Sequence, residues 1–239
     1  MIFSSSHPNN PHKPYTARWY ARQMKYAFDG WKLRMRHAVG LKIWPTKCYE
    51  FWLILQQLLY LVKPRTIVEF GSGRSTNYIA EYIHKFGGNY ISFEQHLYYY
   101  FKFNIALSFL FLPWGIVRHA PLRGDWYNEK VVRENLRGIT NIEFLFYDGP
   151  TAASKGKRDS KTFFSTIVPL LNNVKMIVVD DVHRQIENVV AQSLKDKYNL
   201  KRYNIFSICD HTRIAILLSQ EATEKVALLP PYLHKCLEA

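Results

Sequence analysis

The chain of 239 residues is 48% hydrophobic and 15% aromatic, which is enough to bury one sizeable core. We therefore expect one α/β domain with an N-terminal appendage. The formal net charge of +13 is spread along the chain. This charge either reflects a basic surface without a binding role, or serves to bind nucleic acid, an anionic membrane or an acidic substrate. Three cysteines, odd in number and without metal-ligand spacing, argue against a disulfide framework and favour a reducing, cytoplasmic compartment.

Neither a signal peptide nor a membrane-spanning helix is expected from the apolar runs. Met1–Pro14 lacks the apolar core of a signal peptide. Phe51–Val62 is too short to cross a bilayer. Tyr98–Val117 has the length, but Lys102 and Pro113 interrupt it, and its aromatic side chains suit a helix packed on a sheet.

The N-terminal region has the pattern of a helical extension. Residues 1–14 are polar and proline-bearing, which predicts a flexible terminus, and residues 15–62 predict helices. Tyr15–Val39 interleaves aromatic and basic side chains, whereas Lys47–Val62 predicts a largely buried helix ended by Pro64. The first helix either covers one face of the domain, or lies on a membrane, or binds a polyanion.

A glycine turn follows the first predicted strand. The β-rich run Ile67–Phe70 ends in Gly71-Ser72-Gly73 and leads into a helical pattern, Asn77–Phe86. This is the order of the first strand, turn and helix of a doubly wound sheet, in which ligands bind outside the carboxyl ends of the strands. Glycines at such a turn allow backbone N–H groups to approach a ligand closely.

Two acidic residues flank this turn. Glu69 lies two residues before the first glycine, where a dinucleotide-binding turn is normally apolar. Glu94 ends the next predicted strand, Tyr90–Phe93, in a position to take both hydroxyls of a ribose. Ser72 or Ser75 is a candidate cap for the helix that follows the turn.

The remaining elements complete the pattern of a doubly wound, seven-stranded, mostly parallel sheet over residues 63–219, followed by a C-terminal tail, 220–239. The later helices are predicted at Leu97–Leu112, Asn128–Arg137, Thr162–Leu171 and Val182–Tyr198. The later parallel strands are predicted at Ile116–His119, Ile142–Tyr147 and Val174–Val179, and a closing antiparallel pair at Lys201–Ile208 and Arg213–Ser219. The loop Ala120–Tyr127 follows the third strand.

Three carboxylates are predicted to converge at the carboxyl edge of the sheet. Asp148 ends the fourth strand, and Asp180 and Asp181 end the fifth. Unpaired carboxylates repel and raise one another's pKa values, so a positive group is expected among them. The group is either Mg²⁺, which prefers oxygen ligands, or the guanidinium of Arg158 or Arg184. A further alternative has an aspartate capping the next helix.

The segment Val-Glu-Phe-Gly-Ser-Gly-Arg-Ser-Thr, followed by Ile-Ser-Phe-Glu, resembles the class I S-adenosylmethionine-dependent methyltransferases. The resemblance implies a Rossmann-like methyltransferase fold with the glycine turn around the methionine end of the cofactor, Glu94 on its ribose and Glu69 ordering the loop. Ser75 replaces the family's common third glycine. Leu122 or Trp126 borders the adenine or else belongs to an ordinary surface turn. The implied cofactor residues are Glu69, Gly71, Ser72, Gly73, Ser75, Glu94, Leu122 and Asp148.

The acidic cluster looks like that of the metal-dependent O-methyltransferases of the catechol and macrolide-sugar type. There the corresponding acids hold Mg²⁺, which binds substrate hydroxyls, so the resemblance implies Asp148, Asp180 and Asp181 as metal ligands. His183 is the first candidate base and His211 the second, although histidines at such places are often surface or helix-start residues. Arg158 and Arg184 are candidates for neutralising the cluster and for binding substrate.

The leading interpretation is therefore an S-adenosylmethionine-dependent enzyme that methylates an oxygen of a small hydroxylated or sugar-containing acceptor. One alternative is an RNA methyltransferase, suggested by the basic charge. Against it, the fourth strand ends in Tyr-Asp-Gly-Pro rather than the Asn/Asp-Pro-Pro-Tyr of amine-methylating enzymes. Another alternative is a non-catalytic protein with a cofactor-binding fold whose basic helix docks on a membrane or a partner.

Overall fold

The computed structural model describes residues 49–108, 115–124, 126–150, 161–206, 213–234 and 236–237. The predicted flexible terminus, the aromatic and basic helix Tyr15–Val39, Arg158 and His211 lie outside the described residues.

The described part of the chain contains eight α-helices, one 3₁₀ turn and nine strands. The helices are α1 (Tyr49–Val62), α2 (Arg74–Phe86), α3 (Leu97–Ser108), α4 (Glu129–Asn135), α5 (Lys161–Thr166), a 3₁₀ turn (Val168–Leu170), α6 (Gln185–Tyr198), α7 (Gln220–Val226) and α8 (Pro231–His234). The strands are β1 (Thr66–Phe70), β2 (Asn89–Glu94), β3 (Val117–His119), β4 (Leu122–Arg123), β5 (Trp126–Tyr127), β6 (Phe144–Tyr147), β7 (Met176–Val179), β8 (Lys201–Phe206) and β9 (Arg213–Leu218).

Seven strands form one twisted sheet in the order β3-β2-β1-β6-β7-β9-β8. The first five in this order are parallel, and β9 is antiparallel to both β7 and β8. The predicted doubly wound, mostly parallel sheet is confirmed. The chain order reverses between β1 and β6, so the carboxyl ends of these two strands border the crevice where such folds bind ligands.

The sheet is covered on both faces, as parallel strands require. One core contains side chains of α1, α2, α3 and α7 with alternate residues of the sheet, such as Ile67 and Phe146. The second core contains side chains of α4, α5 and α6 with the residues between them, such as Val68 and Tyr147. Because successive side chains of a strand point to opposite faces of the sheet, neighbouring residues of each strand lie in different cores.

Several predicted boundaries differ from the observed ones for local reasons. The fourth strand begins at Phe144 rather than Ile142, because the N–H of Ile142 donates to Leu170 O at 2.6 Å outside the ladder. The predicted helix Thr162–Leu171 divides into α5 and a 3₁₀ turn containing Pro169, which has no N–H for an α-helical bond.

The loop after β3 and the C-terminal segment are also more ordered than the sequence predicts. Ala120–Tyr127, expected to be a loop, contains the short antiparallel pair β4 and β5. The segment after residue 219 forms α7 and α8, and it buries Val226 and Leu233 in the core beside α1. The described part of the chain contains no helix with the length and apolar character needed to span a membrane.

Candidate functional site

Gly71 begins the turn at the carboxyl end of β1. Its φ of +91° lies in the left-handed region that favours glycine. Its N–H donates to Phe93 O at 2.9 Å. A Cβ added here would lie only 2.0 Å from Asp148 O. The turn is therefore pressed against the ends of β2 and β6, and no larger residue fits.

Glu69 is fully buried beneath this turn and organises it. Its Oε2 accepts bonds from Thr76 Oγ1 at 2.8 Å, Tyr90 OH at 2.5 Å and Ser92 Oγ at 2.6 Å. Burial raises the pKa of Glu69, and the surrounding hydroxyl bonds oppose that shift. Its Oε1 has no hydrogen-bond partner in the described part of the chain. The Ser75 hydroxyl also acts on this carboxyl and lowers its pKa, so Glu69 serves to order the turn from beneath.

Glu94 fixes the middle of the turn from the end of β2. Its Oε2 accepts from the Ser72 N–H at 3.0 Å, and its Oε1 accepts from the His96 N–H at 2.8 Å. Ser72 Oγ also lies 2.8 Å from Ser92 Oγ. Burial raises the pKa of Glu94, and these backbone bonds lower it. Because each carboxylate oxygen has a second lone pair, Glu94 retains acceptor capacity for ligand hydroxyls.

Helix α2 begins without help from the serines predicted to cap it. Gly73 is the N-cap, and its N–H donates to Thr76 Oγ1 at 2.9 Å. Neither Ser72 nor Ser75 caps the helix, because the Ser72 side chain is turned toward Ser92 and Ser75 is buried in the first turn. A Cβ added to Gly73 would meet only Ser75 Oγ, at 3.9 Å. The space beside Gly73 is therefore open for a ligand.

The β4–β5 pair contributes a residue that the sequence interpretation missed. Leu122 is 37% exposed on β4, while Trp126 is buried with its ring 5.3 Å from that of Phe70. Tyr127 follows Trp126, and its hydroxyl lies 2.6 Å from the position that a Cβ on Gly149 would occupy. Burial raises the pKa of Tyr127 well above its usual value, and nearby carboxylates add to the shift. Its phenol is therefore a neutral group among acids.

The hydrogen-bonded polar residues of β2 were not predicted as a group, but their spacing is visible in the sequence. Tyr90, Ser92 and Glu94 alternate along the strand and therefore share one face. Glu69 pairs in register with Ser92, which places it beside this row of polar groups. Polar residues at every second position of an otherwise apolar strand mark a buried site.

Asp148 and Asp180 meet at the carboxyl edge of the sheet, as predicted. The Asp148 N–H donates to Phe70 O and the Asp180 N–H donates to Tyr147 O, both at 2.9 Å. Burial and the neighbouring carboxylates, Asp180 foremost, raise the pKa of Asp148 well above its usual range. Burial and the charge of Asp181 raise the pKa of Asp180 to about 7. Asp180 is therefore poised to take up or release a proton near neutral pH.

Asp181 is paired with a cation at the edge of this cluster. Its φ is +55°, and its N–H donates to Asp180 Oδ1 at 2.7 Å. Arg184 Nη2 lies 2.7 Å from Asp181 Oδ2, while His183 Nδ1 lies 3.8 Å from Asp181 Oδ1. Helix α6 begins only at Gln185 with Arg184 as its N-cap, so neither aspartate caps it.

The described carboxylates do not fit a magnesium site in this arrangement. No group of three or more His, Cys, Asp or Glu side chains among the described residues is arranged to hold a metal ion. Asp181, the predicted third ligand, is ion-paired with Arg184 instead. Of the two arginines expected to neutralise the cluster, Arg184 is the one that the described residues include.

Comparisons with known proteins support the fold. No protein-family model matches the sequence, and no curated protein matches it. Among solved structures, an O-methyltransferase from Bacillus cereus in complex with SAH has a TM-score of 0.52 at 13% identity, over 81% of this chain and 91% of that one. A precorrin-6y C5,15-methyltransferase from Geobacter metallireducens has a TM-score of 0.50 at 12% identity, over 72% and 89%. The chain thus has the Rossmann-like methyltransferase fold.

Proposed function

We propose that this protein is an S-adenosylmethionine-dependent methyltransferase that acts on a hydroxyl oxygen of a small acceptor. The observation that carries the proposal is the turn Gly71–Gly73, held between two buried acids at the switch point of the sheet. The cofactor, when bound, supplies an electrophilic methyl group. The B. cereus neighbour, which was crystallised with SAH, supports this choice of cofactor.

The residues around the turn suit the parts of this cofactor. Glu94 is held rigidly by two backbone N–H bonds and would accept bonds from the ribose hydroxyls. Glu69 orders the turn from beneath, and the open side of Gly73 leaves space for a ligand beside the turn. The ionised form of Asp180 would also favour a cationic ligand over a neutral one. A metal is not required to explain this cluster.

Asp180 is the described residue best suited to take the proton from the hydroxyl group that receives the methyl group. Burial and its neighbours raise its pKa to about 7, so it both ionises and takes up a proton near physiological pH. Methyl transfer is an in-line displacement, and the remaining task of the protein is to position the oxygen. His183 is exposed and 3.8 Å from Asp181, which makes it a second candidate base. His211 remains a candidate from the sequence alone.

RNA is the second candidate acceptor because a basic cleft opens beside Tyr127. The cleft has a volume of about 770 Å³, and its described lining includes Arg123, Lys130, Arg133 and Arg137. Glu129 and Glu134 neutralise part of this charge through pairs with Arg133 and Lys130. The partial neutralisation favours the small acceptor over a polyanion.

Transfer of a radiolabelled methyl group from S-adenosylmethionine separates these alternatives. The protein is incubated in parallel with a panel of catechols and hydroxylated sugars and with total RNA. Label in a small hydroxylated acceptor, lost in Asp180→Asn, is the expected result. Label in RNA alone would favour the second candidate, and no transfer to either would contradict the proposal if S-adenosylhomocysteine also fails to bind.

A further inference from the structure

Helix α3 presents an apolar face to solvent. Besides Tyr99, which is 42% exposed, its large exposed side chains are Leu97 at 53%, Tyr98 at 69%, Phe101 at 46% and Ile105 at 48%. They recur at the spacing of one helical face. The opposite face is buried, where Phe103 and Leu107 join the core beside the sheet. A helix that is apolar on both sides is expected to be covered on both sides.

Lys102 places a positive charge at the edge of this face. From Gln95 to Gly124 the sequence contains no Asp or Glu, while it includes Lys102, Arg118 and Arg123. Lys102 Nζ lies between 5.6 and 5.9 Å from the ring centroids of Tyr98, Tyr99 and Phe103. The lysine stem therefore runs along the aromatic face with its ammonium group at the edge.

Charge decides between the candidate occupants of this face. A second copy of the chain would bring another net charge of +13 toward it. The N-terminal segment Tyr15–Val39 has Asp29 as its only acidic residue, and its basic residues are Arg18, Arg22, Lys25, Lys32, Arg34 and Arg36. Both candidates carry the same sign of charge as Lys102 and as the chain as a whole, whereas an anionic lipid surface is attracted.

We propose that the exposed face of α3 binds the surface of a membrane containing anionic phospholipids. Tyrosine side chains settle at the level of the headgroups with their hydroxyls in water, while the Phe101 ring is buried beneath them. Lys102 reaches the headgroup phosphates from the edge of this face. Association is peripheral and reversible, since one short helix face buries limited area. This inference does not depend on the reaction that the protein catalyses.

Vesicle flotation with the full chain tests the proposal. The probes are vesicles of phosphatidylcholine alone and of phosphatidylcholine with a minority of phosphatidylglycerol. We expect partitioning onto the anionic vesicles, about a tenfold loss in the double variant Tyr98→Ser/Phe101→Ser, and a clear loss in Lys102→Glu. Val189→Ser is the matched control, because Val189 is 52% exposed on α6 near the opposite end of the sheet.

Three results would overturn the proposal. The first is equal or absent binding of the intact protein to both kinds of vesicle. The second is a dimer in light scattering that the double variant converts to a monomer, which would assign the face to a second copy. The third is unchanged vesicle binding by the double variant together with a thermal midpoint several degrees below that of Val189→Ser, which would assign the face to the N-terminal segment.

Discussion

The guanidinium of Arg184 lies 2.7 Å from Asp181 Oδ2, three residues further along the chain, at the edge of the acidic cluster. Arg184 also approaches Glu187 Oε1 at 3.8 Å. The arginine thereby neutralises Asp181, the carboxylate that was expected as the third metal ligand. Asp148 and Asp180 are the two carboxylates of the cluster whose pKa values remain raised.

Chelation should therefore leave methyl transfer intact. We expect full activity in excess EDTA, and a loss of about tenfold or more in Arg184→Gln, because the cluster then lacks its cation. Lys225→Gln is the control, since it removes the remote helical pair with Glu221. Activity that EDTA abolishes and Mg²⁺ restores would instead support the predicted metal ligands Asp148, Asp180 and Asp181.

Asp180→Asn should stabilise the protein at alkaline pH. The carboxyl has a pKa of about 7 in the folded state and an ordinary value of 3.8, so the unfolded chain loses its proton first. Stability is therefore lost as pH rises from about 4 to about 7, and the asparagine avoids this loss. We expect the variant to melt several degrees higher than the wild type at pH 8 and nearly equally at pH 4. Asp196→Asn, at an exposed site on α6, should show no such difference; an equal effect in both variants would contradict the assigned pKa.

The same ionisation should make cofactor preference depend on pH. S-adenosylmethionine carries a sulfonium charge, whereas S-adenosylhomocysteine is uncharged at sulfur. Asp180 is neutral below pH 7 and negative above it, so the preference for S-adenosylmethionine should rise by about tenfold from pH 6 to pH 8. Paired calorimetric titrations measure this ratio, and Asp180→Asn should flatten it. A ratio that is constant with pH in the wild type would show that the carboxylates do not sense the sulfonium.

Gly71 should not tolerate alanine. A Cβ there would meet Asp148 O at 2.0 Å, and φ is +91°. Gly138 is a matched control, because it has φ of +85° and nothing within 4 Å of its added Cβ. Gly138→Ala should cost about 1 kcal/mol from strain, and Gly71→Ala should cost clearly more because β6 must move. Equal unfolding free energies for the two variants would show that the turn at Gly71 is not closely packed against Asp148.

The sheet and the two acids beside the turn follow from the sequence because each rests on local pattern. The apolar run ending at Val179 predicts a buried parallel strand, and Glu69 and Glu94 stand out at strand positions where apolar residues are usual. The adjacency of Asp148 and Asp180 follows from topology alone, since parallel strands end at one edge.

The remaining features depend on contacts between segments that a local pattern does not encode. Asp181 adopts a left-handed conformation and pairs with Arg184, which delays the start of α6 and removes the predicted third metal ligand. Thr76, rather than a serine, bonds the Gly73 N–H, because the Thr76 hydroxyl is oriented by buried Glu69. Tyr127 reaches the turn only through the short β4–β5 pair.

The central claim is that the turn between Glu69 and Glu94 binds S-adenosylmethionine, and calorimetry with S-adenosylhomocysteine tests it most directly. We expect the wild type to bind and Glu94→Ala to bind more than about tenfold more weakly, since charge-assisted bonds contribute about 1.5–3 kcal/mol. Glu134→Ala removes an exposed acid of α4 and should bind like the wild type. No binding by the wild type, or unchanged binding by a folded Glu94→Ala protein, would contradict the account.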